Sequence, residues 1–173
     1  MTQVFAKPLD PINIFDYLER VNQLRYTPLD LTTAKITSSQ TFKGCQIDET
    51  HFTVHDPLLN TNHEMTVALY HPVANGRYPA IIIVPTIIGR SVIETSSAYR
   101  FCMNNIVSAI ADVNDLSAPA VLPDWQLHDR DNRTVVVDLR NLIDLLQNYN
   151  QVDPQRVGAY GLSLGAYSVA LLA

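Results

Sequence analysis

The segment VGAYGLSLGAY, residues 157–167, carries the pattern from which the rest of the fold can be worked out. Its first five residues are mostly small or apolar, as is typical of a strand buried in a parallel sheet. Two glycines, Gly161 and Gly165, flank Ser163, and helix-forming residues begin at Leu164. The segment therefore predicts a strand, a sharp turn that carries Ser163, and a helix.

Upstream of this segment, two more apolar runs predict strands that are buried on both faces, at residues 80–84 and 106–113. Between them, Ser91 and Glu94 form a capping-box sequence, which predicts the start of a helix. Apolar residues spaced three and four apart predict another helix at 132–148. Strands and helices that alternate in this way predict a parallel sheet with helices on both faces.

Ahead of these units, residues 49–55 and 64–70 alternate apolar with polar side chains. They predict a loop-linked antiparallel strand pair. Residues 116–130, which include prolines and the only tryptophan, predict a long surface loop. The expected fold class is therefore α/β, with a mostly parallel, doubly wound sheet and an antiparallel N-terminal strand pair.

The first part of the chain predicts an extension to this sheet. Apolar residues at helical spacing in 11–25 predict an amphipathic helix, and the Thr- and Ser-rich residues 32–41 predict a linker. We expect residues 1–47 to be this helix and linker extension, and residues 48–173 to form the α/β domain.

Composition excludes several classes of protein. The net charge is −5 and no Lys/Arg cluster occurs, so nucleic acid is not an expected partner. The longest apolar runs are too short to span a bilayer, and the N-terminus has no signal-peptide core, which favours a cytoplasmic protein. Cys45 and Cys102 are not in a C-x-x-C pair, so we expect buried thiols without a disulfide framework or zinc site. No cofactor and no metal are expected.

Ser163 is the candidate nucleophile. A serine hydroxyl needs an exposed position and a base that removes its proton before it attacks a carbonyl. A sharp strand-to-helix turn supplies the exposure, and glycines on both sides allow the helix to approach the neighbouring strands closely. The helix that begins at Leu164 directs its positive end at the reaction centre. The Leu164 backbone N–H is then one donor of an oxyanion hole.

The second oxyanion donor is expected in the loop after residues 80–84. Thr86 or Ile87 is best placed to supply a backbone N–H there. Gly89 either lets this loop turn towards the site or is a simple loop glycine ahead of the helix cap.

These features resemble the N-terminal half of an α/β hydrolase. The stretch VDPQRVGAYGLSLGAY, residues 152–167, is similar to the segment before the nucleophile in members related to dienelactone hydrolase, acetyl xylan esterase and prolyl oligopeptidase. The loop VPTIIG, residues 84–89, resembles the dienelactone-hydrolase branch but has Thr86 in place of an acidic residue. That branch uses a cysteine nucleophile where this chain has Ser163, so esterases or peptidases match better.

The resemblance covers roughly residues 48–173 and implies a serine hydrolase that cleaves an ester or short acyl bond of a small molecule. It assigns Ser163 as the nucleophile of an acyl-enzyme, and it assigns Leu164 with Thr86 or Ile87 to the oxyanion hole.

The same resemblance implies an incomplete domain. In this superfamily the triad follows the order Ser, then Asp or Glu, then His. No acidic residue and no histidine follows Ser163. The first four histidines are expected mainly as exposed polar residues of the early strands: His51, His55, His63 and His71. His128 lies in the predicted long loop, and the family order of the triad argues against it as the base. The chain is therefore expected to be a fragment, inactive alone, whose partner is the missing C-terminal half of the domain.

Two alternatives remain open from the sequence. A non-catalytic binding protein or pseudo-enzyme on the same fold would keep the turn and lack the acid and base. A serine peptidase of the prolyl-oligopeptidase type would keep Ser163 but normally carries a large propeller. The N-terminal region has no blade repeats, which disfavours this peptidase.

Overall fold

A computed structural model describes residues 24–86, 89–112 and 125–172 of the chain, without the side chains of 112 and 125–132. A short 3-10 turn, Leu31–Thr33, precedes the sheet. The strands are β1 Lys35–Phe42, β2 Cys45–Asp56, β3 Thr61–Pro72, β4 Tyr78–Val84, β5 Val107–Asp112 and β6 Val152–Gly161. The helices are α1 Val92–Met103, α2 Trp125–Gln147 and α3 Leu164–Leu172.

The six strands form one mixed sheet in the order β1-β2-β3-β5-β4-β6. The three strands that belong to strand–helix units, β5, β4 and β6, are parallel. The first three strands join them through antiparallel pairing, and β3 contacts β5. The predicted α/β fold and the antiparallel β2–β3 pair are confirmed, although the antiparallel part of the sheet is larger than expected.

The prediction of a linker at residues 32–41 is wrong, because most of these residues form β1. This strand pairs with β2 from Lys35↔His51 to Phe42↔Cys45, across a turn in which Lys43 and Gly44 have positive φ. Every residue of β1 is exposed, so the alternation that marks a half-buried strand is missing from its sequence. Only backbone pairing reveals this strand. The predicted helix at 11–25 lies outside the described residues.

The predicted loop at 116–130 is also wrong in its last part. Helix α2 begins at Trp125, while residues 113–124 lie outside the described part of the chain. The predicted helix at 132–148 is therefore confirmed and extended by about two turns. Its apolar side chains are fully buried against the sheet: Val135, Leu139, Leu142 and Leu146.

The core lies on both faces of the sheet. One cluster joins α2 and α3 to Ile82 of β4. The other joins α1 to the adjacent residue, Ile83. Neighbouring residues of a strand point to opposite faces, so helices cover both sides as predicted.

The two cysteines form a disulfide, which corrects the expectation of unpaired thiols. Cys45 at the start of β2 is bonded to Cys102 near the end of α1, 57 residues away in the chain. Both are buried, as expected. Their spacing carried no signature of pairing, because the fold alone brings the two segments together.

We expect this disulfide to stabilise the chain by about 2–4 kcal/mol, because it restricts the unfolded state across a long loop. Added dithiothreitol should lower the urea midpoint of the wild type to that of the Cys45→Ala/Cys102→Ala double variant. The double variant itself should not respond to dithiothreitol. An unchanged wild-type midpoint after complete reduction would contradict this role.

A buried ion pair ties α2 to the end of β2. Arg133 donates from Nη2 to Asp56 Oδ1 at 2.7 Å and from Nη1 to Asp56 Oδ2. The backbone N–H groups of Leu58 and Leu59 also donate to this carboxylate. Burial alone would raise the pKa of Asp56, but these hydrogen bonds outweigh it and hold the pKa below its ordinary value.

Asp56→Ala should therefore lower the free energy of unfolding by about 3–5 kcal/mol at pH 7, because it leaves the Arg133 charge buried. Because its pKa is lower in the folded state, the Asp56 carboxyl stabilises the fold at pH values above its unfolded pKa of about 3.9. This contribution is lost as the pH falls through the pKa of the folded state. The variant should accordingly lose less stability than the wild type between pH 5 and pH 3, as urea midpoints would measure. Asp153→Asn, in the exposed Asp153–Arg156 pair, is the matched control and should change little.

Candidate active site

Ser163 occupies the turn between β6 and α3 with a φ of 56°. This left-handed conformation is unfavourable for a residue with a side chain, and it costs about 1–3 kcal/mol. The first turn of α3 holds it in place, since Ala166 N donates to Ser163 O at 3.0 Å and Gly165 N donates to Leu162 O at 3.1 Å. Ser163 is exposed. The predicted sharp, glycine-flanked turn is therefore present in the structure.

The two glycines beside Ser163 stand where a side chain does not fit. A Cβ on Gly161 would lie 2.3 Å from the carbonyl carbon and oxygen of Gly165. A Cβ on Gly165 would lie 2.2 Å from Val84 O and 2.7 Å from Pro85 O. These are backbone atoms that cannot swing away, so both glycines are needed for α3 to pack against β6 and β4.

Register places this turn at the carboxyl edge of the parallel strands. Val84, the last residue of β4, pairs with Gly161, the last residue of β6. In open α/β sheets, ligands bind beyond this edge. The loop after β4 starts at the same edge, so the structure brings Ser163 and Thr86 into one region.

The loop after β4 turns back on itself. Gly89 N donates to Thr86 O at 2.9 Å, and Gly89 has a φ of 77°, which favours glycine. This turn fits both interpretations of Gly89. Ile87 lies outside the described residues.

The two described oxyanion candidates differ in their backbone N–H groups. No hydrogen bond from the Leu164 N–H occurs among the described residues, as is usual for the first N–H groups of a helix. The Thr86 N–H instead donates to the carboxylate of Glu94 at 3.4 Å. Glu94 also completes the predicted capping box of α1, which is confirmed. The capping-box sequence predicted the role of Glu94 at the start of α1, but it did not predict the contact between Glu94 and Thr86.

No base lies beside Ser163 among the described residues, since no hydrogen-bond partner of its hydroxyl occurs there. His63 contacts Asp138 on α2 at 2.7 Å, and His71 contacts Asp48 at 3.0 Å. Both histidines are on β3, about 14 Å from β6 across three strand spacings.

The expectation that the early histidines are exposed is wrong for His71, which is buried, and holds for His51. His71 Nε2 lies 3.0 Å from the hydroxyl of Tyr149 as well as from Asp48. Burial and the charge of Asp48 raise the pKa of Tyr149 to about 12. This buried polar cluster ties β2 and β3 to the segment before β6, at the opposite end of the sheet from Ser163. The side chain of His128 lies outside the description.

Within the described ranges, no three or more His, Cys, Asp or Glu side chains are arranged to hold a metal ion. The helices described there are all too short or too polar to cross a bilayer.

No family model matches this chain, and no curated protein matches it. Several solved structures are similar to this chain. The acetyl xylan esterase from Paenibacillus sp. R4 is 15% identical, with a TM-score of 0.65 over 92% of this chain and 55% of that one. Acetyl xylan esterase 1 from Thermoanaerobacterium sp. JW/SL YS485 is 17% identical, with a TM-score of 0.65 over 94% of this chain and 54% of that one.

A putative dienelactone hydrolase from Klebsiella pneumoniae subsp. pneumoniae MGH 78578 is also similar. It is 17% identical, with a TM-score of 0.52 over 71% of this chain and 53% of that one. The chain thus spans about half the length of these structures. At this identity the likeness concerns the fold, and it agrees with the resemblance drawn from residues 152–167. The chain has the α/β-hydrolase fold, which it shares with these structures.

Proposed function

We propose that this chain carries the nucleophile of a serine hydrolase that cleaves an ester or short acyl bond of a small molecule. The observation that carries the proposal is the left-handed conformation of Ser163, on a turn that two sterically required glycines build at the carboxyl edge of the sheet. Backbone strain of this kind is retained where it serves a function. The solved structures of the same fold are named as esterases, which supports this reaction class.

The chemistry follows from the placement of these groups. Ser163 Oγ attacks the substrate carbonyl carbon while a base takes its proton. The carbonyl oxygen becomes negative and is stabilised by the Leu164 N–H and by the positive end of α3. Expulsion of the alcohol leaves an acyl-enzyme, and water then hydrolyses it to regenerate Ser163.

The acid and the histidine of the triad are proposed to come from polypeptide that pairs with β6. This strand is at the end of the described sheet, where its only strand pairing is with β4. Apolar grooves lie on both of its faces. One of about 420 Å³ is lined by Phe101 and Tyr160, and one of about 330 Å³ by Val157, Ala159 and others. A further strand with apolar flanks would cover both grooves, as the C-terminal half of such a domain does.

Capture of Ser163 by a fluorophosphonate probe tests the proposal. The complete gene product should be labelled, and mass spectrometry of its peptides should locate the adduct at Ser163. A second candidate function is a non-catalytic binding protein on the same fold, favoured by the lack of a described partner for the Ser163 hydroxyl. An unlabelled Ser163 in the folded protein would favour that second function.

The disulfide also bears on the cellular compartment in which the protein resides. The expected compartment is the cytoplasm, whereas a disulfide persists mainly in oxidising compartments. The Cys45–Cys102 bond therefore weighs against the cytoplasmic expectation. Alkylation of the two thiols in freshly lysed cells, before and after reduction, measures which state is present.

A further inference from the structure

An ion pair joins the loop after β4 to a strand in the antiparallel part of the sheet. Arg90, near the end of this loop, donates from Nη1 to Glu49 Oε1 on β2 at 2.7 Å. The two side chains are 26% and 29% exposed. Glu49 Oε2 is buried and has no hydrogen-bond partner among the described residues. Arg90 is therefore the group that supplies a counter-charge to this carboxylate.

The strand register shows how far the Arg90 side chain reaches. Glu49 on β2 pairs with Ala68 on β3, and Ala68 pairs with Ile110 on β5. Ile110 in turn pairs with Ile83 on β4. Glu49 is thus level with Ile83 and about 14 Å from it, across three strand spacings. To make the contact, Arg90 has to extend across the sheet from β4 towards β2.

Tyr70 on β3 lies beside this ion pair. Burial raises the pKa of Tyr70, while the charge of Arg90 lowers it and the charge of Glu49 raises it. A residue of the strand next to β2 is thus close to both members of the pair. In the sheet, β2 and β3 are on one side of β4, and β6 with its Ser163 turn is on the other. The pair therefore draws the end of the loop away from Ser163.

The start of the same loop lies against the turn that carries Ser163. A Cβ on Gly165 would lie 2.7 Å from Pro85 O, so the first turn of α3 packs on Pro85. Between its two ends the loop is closed by the hydrogen bond from Gly89 N to Thr86 O at 2.9 Å. The loop is thus fixed beside the nucleophile turn at one end and on β2 at the other.

We infer that Glu49 and Arg90 are positioning residues for the reaction: their ion pair holds the loop after β4 away from the nucleophile turn and keeps the carboxyl edge of β4 open to the substrate. The inference rests on the proposed function. Neither side chain has to touch the substrate, because the pair acts through the backbone of the loop. A displacement of about 1 Å in the groups that line a site costs up to about 10²-fold in rate.

A positioning role and a purely structural role predict different results. Solvent reaches both side chains of the pair, so the pair should contribute little to stability. Its loss should therefore be felt in turnover and not in the thermal midpoint. Two residues that act through one contact are also not additive, because removal of the second has no further effect once the first is gone.

The test compares Glu49→Gln, Arg90→Gln and the double variant in the complete gene product, with p-nitrophenyl acetate as the substrate. Each single variant should lower kcat by about 10–100-fold, with a smaller change in KM and a thermal midpoint within a few degrees of the wild type. The double variant should lose no more kcat than the weaker of the two single variants.

Arg156→Gln is the matched control, because Arg156 pairs with Asp153 near the start of β6, at the opposite end of this strand from Ser163. It should leave kcat unaltered. Wild-type kcat in both single variants would overturn the inference alone. Losses of kcat that multiply in the double variant, or that only follow a fall in the thermal midpoint, would do the same. An inert wild type with unlabelled Ser163 would instead overturn the proposed function, and this inference with it.

Discussion

Ser163→Ala should reduce ester hydrolysis by the complete gene product by about four to six orders of magnitude, because it removes the proposed nucleophile of the acyl-enzyme. The exposed serine hydroxyl has no described partner, so the thermal midpoint should stay within a few degrees of the wild type. Turnover of p-nitrophenyl acetate and labelling by a fluorophosphonate probe measure the first effect. Circular dichroism during heating measures the second.

Ser96→Ala is the matched control for this prediction, since Ser96 is an exposed serine on α1. It should keep both turnover and labelling. A Ser163→Ala protein that retains wild-type turnover would contradict the assignment of the nucleophile. The 173-residue chain alone should have no efficient turnover, because its described residues place no base beside Ser163; robust turnover that Ser163→Ala abolishes would contradict this second expectation.

Gly165→Ala should lower the free energy of unfolding by about 3 kcal/mol or more, because its Cβ would stand 2.2 Å from the backbone oxygen of Val84. The only relief is a movement of α3 away from β4, which also displaces Leu164 from the site. We therefore expect loss of fluorophosphonate labelling together with loss of stability. Urea unfolding followed by circular dichroism measures the second effect.

Gly158→Ala separates this steric effect from the general effect of adding a methyl group. Gly158 is on β6, and an added Cβ there meets no atom within 4 Å. Its substitution should be neutral or slightly stabilising, because alanine restricts the unfolded chain. Equal urea midpoints for Gly165→Ala and Gly158→Ala would contradict the view that the close approach of α3 to β4 requires a glycine at position 165.

Features that depend on a few neighbouring residues could be predicted from the sequence. The apolar run at 80–84, the capping box at Ser91 and the helical spacing after residue 132 each describe their own segment, and each is confirmed. The glycine–serine turn is of the same kind. Strand–helix alternation then leaves few arrangements of the parallel strands, because such connections are almost always right-handed.

Contacts between distant segments could not be predicted in this way. The hydroxyl-rich β1 is recognisable only by its pairing with β2, and the Cys45–Cys102 bond needs β2 and α1 to meet. The carboxylate of Glu94 looks like a helix cap until the fold brings Thr86 to it.

The local sequence therefore determined the element types, the α/β class and the turn that presents Ser163, since backbone preference and apolar periodicity act over a few residues. Tertiary structure alone decided why Gly165 must be glycine and that the Thr86 N–H donates to Glu94. It also decided which histidines are already paired away from the site. Each of these depends on distances between segments far apart in the chain, which only the assembled sheet and its helices establish.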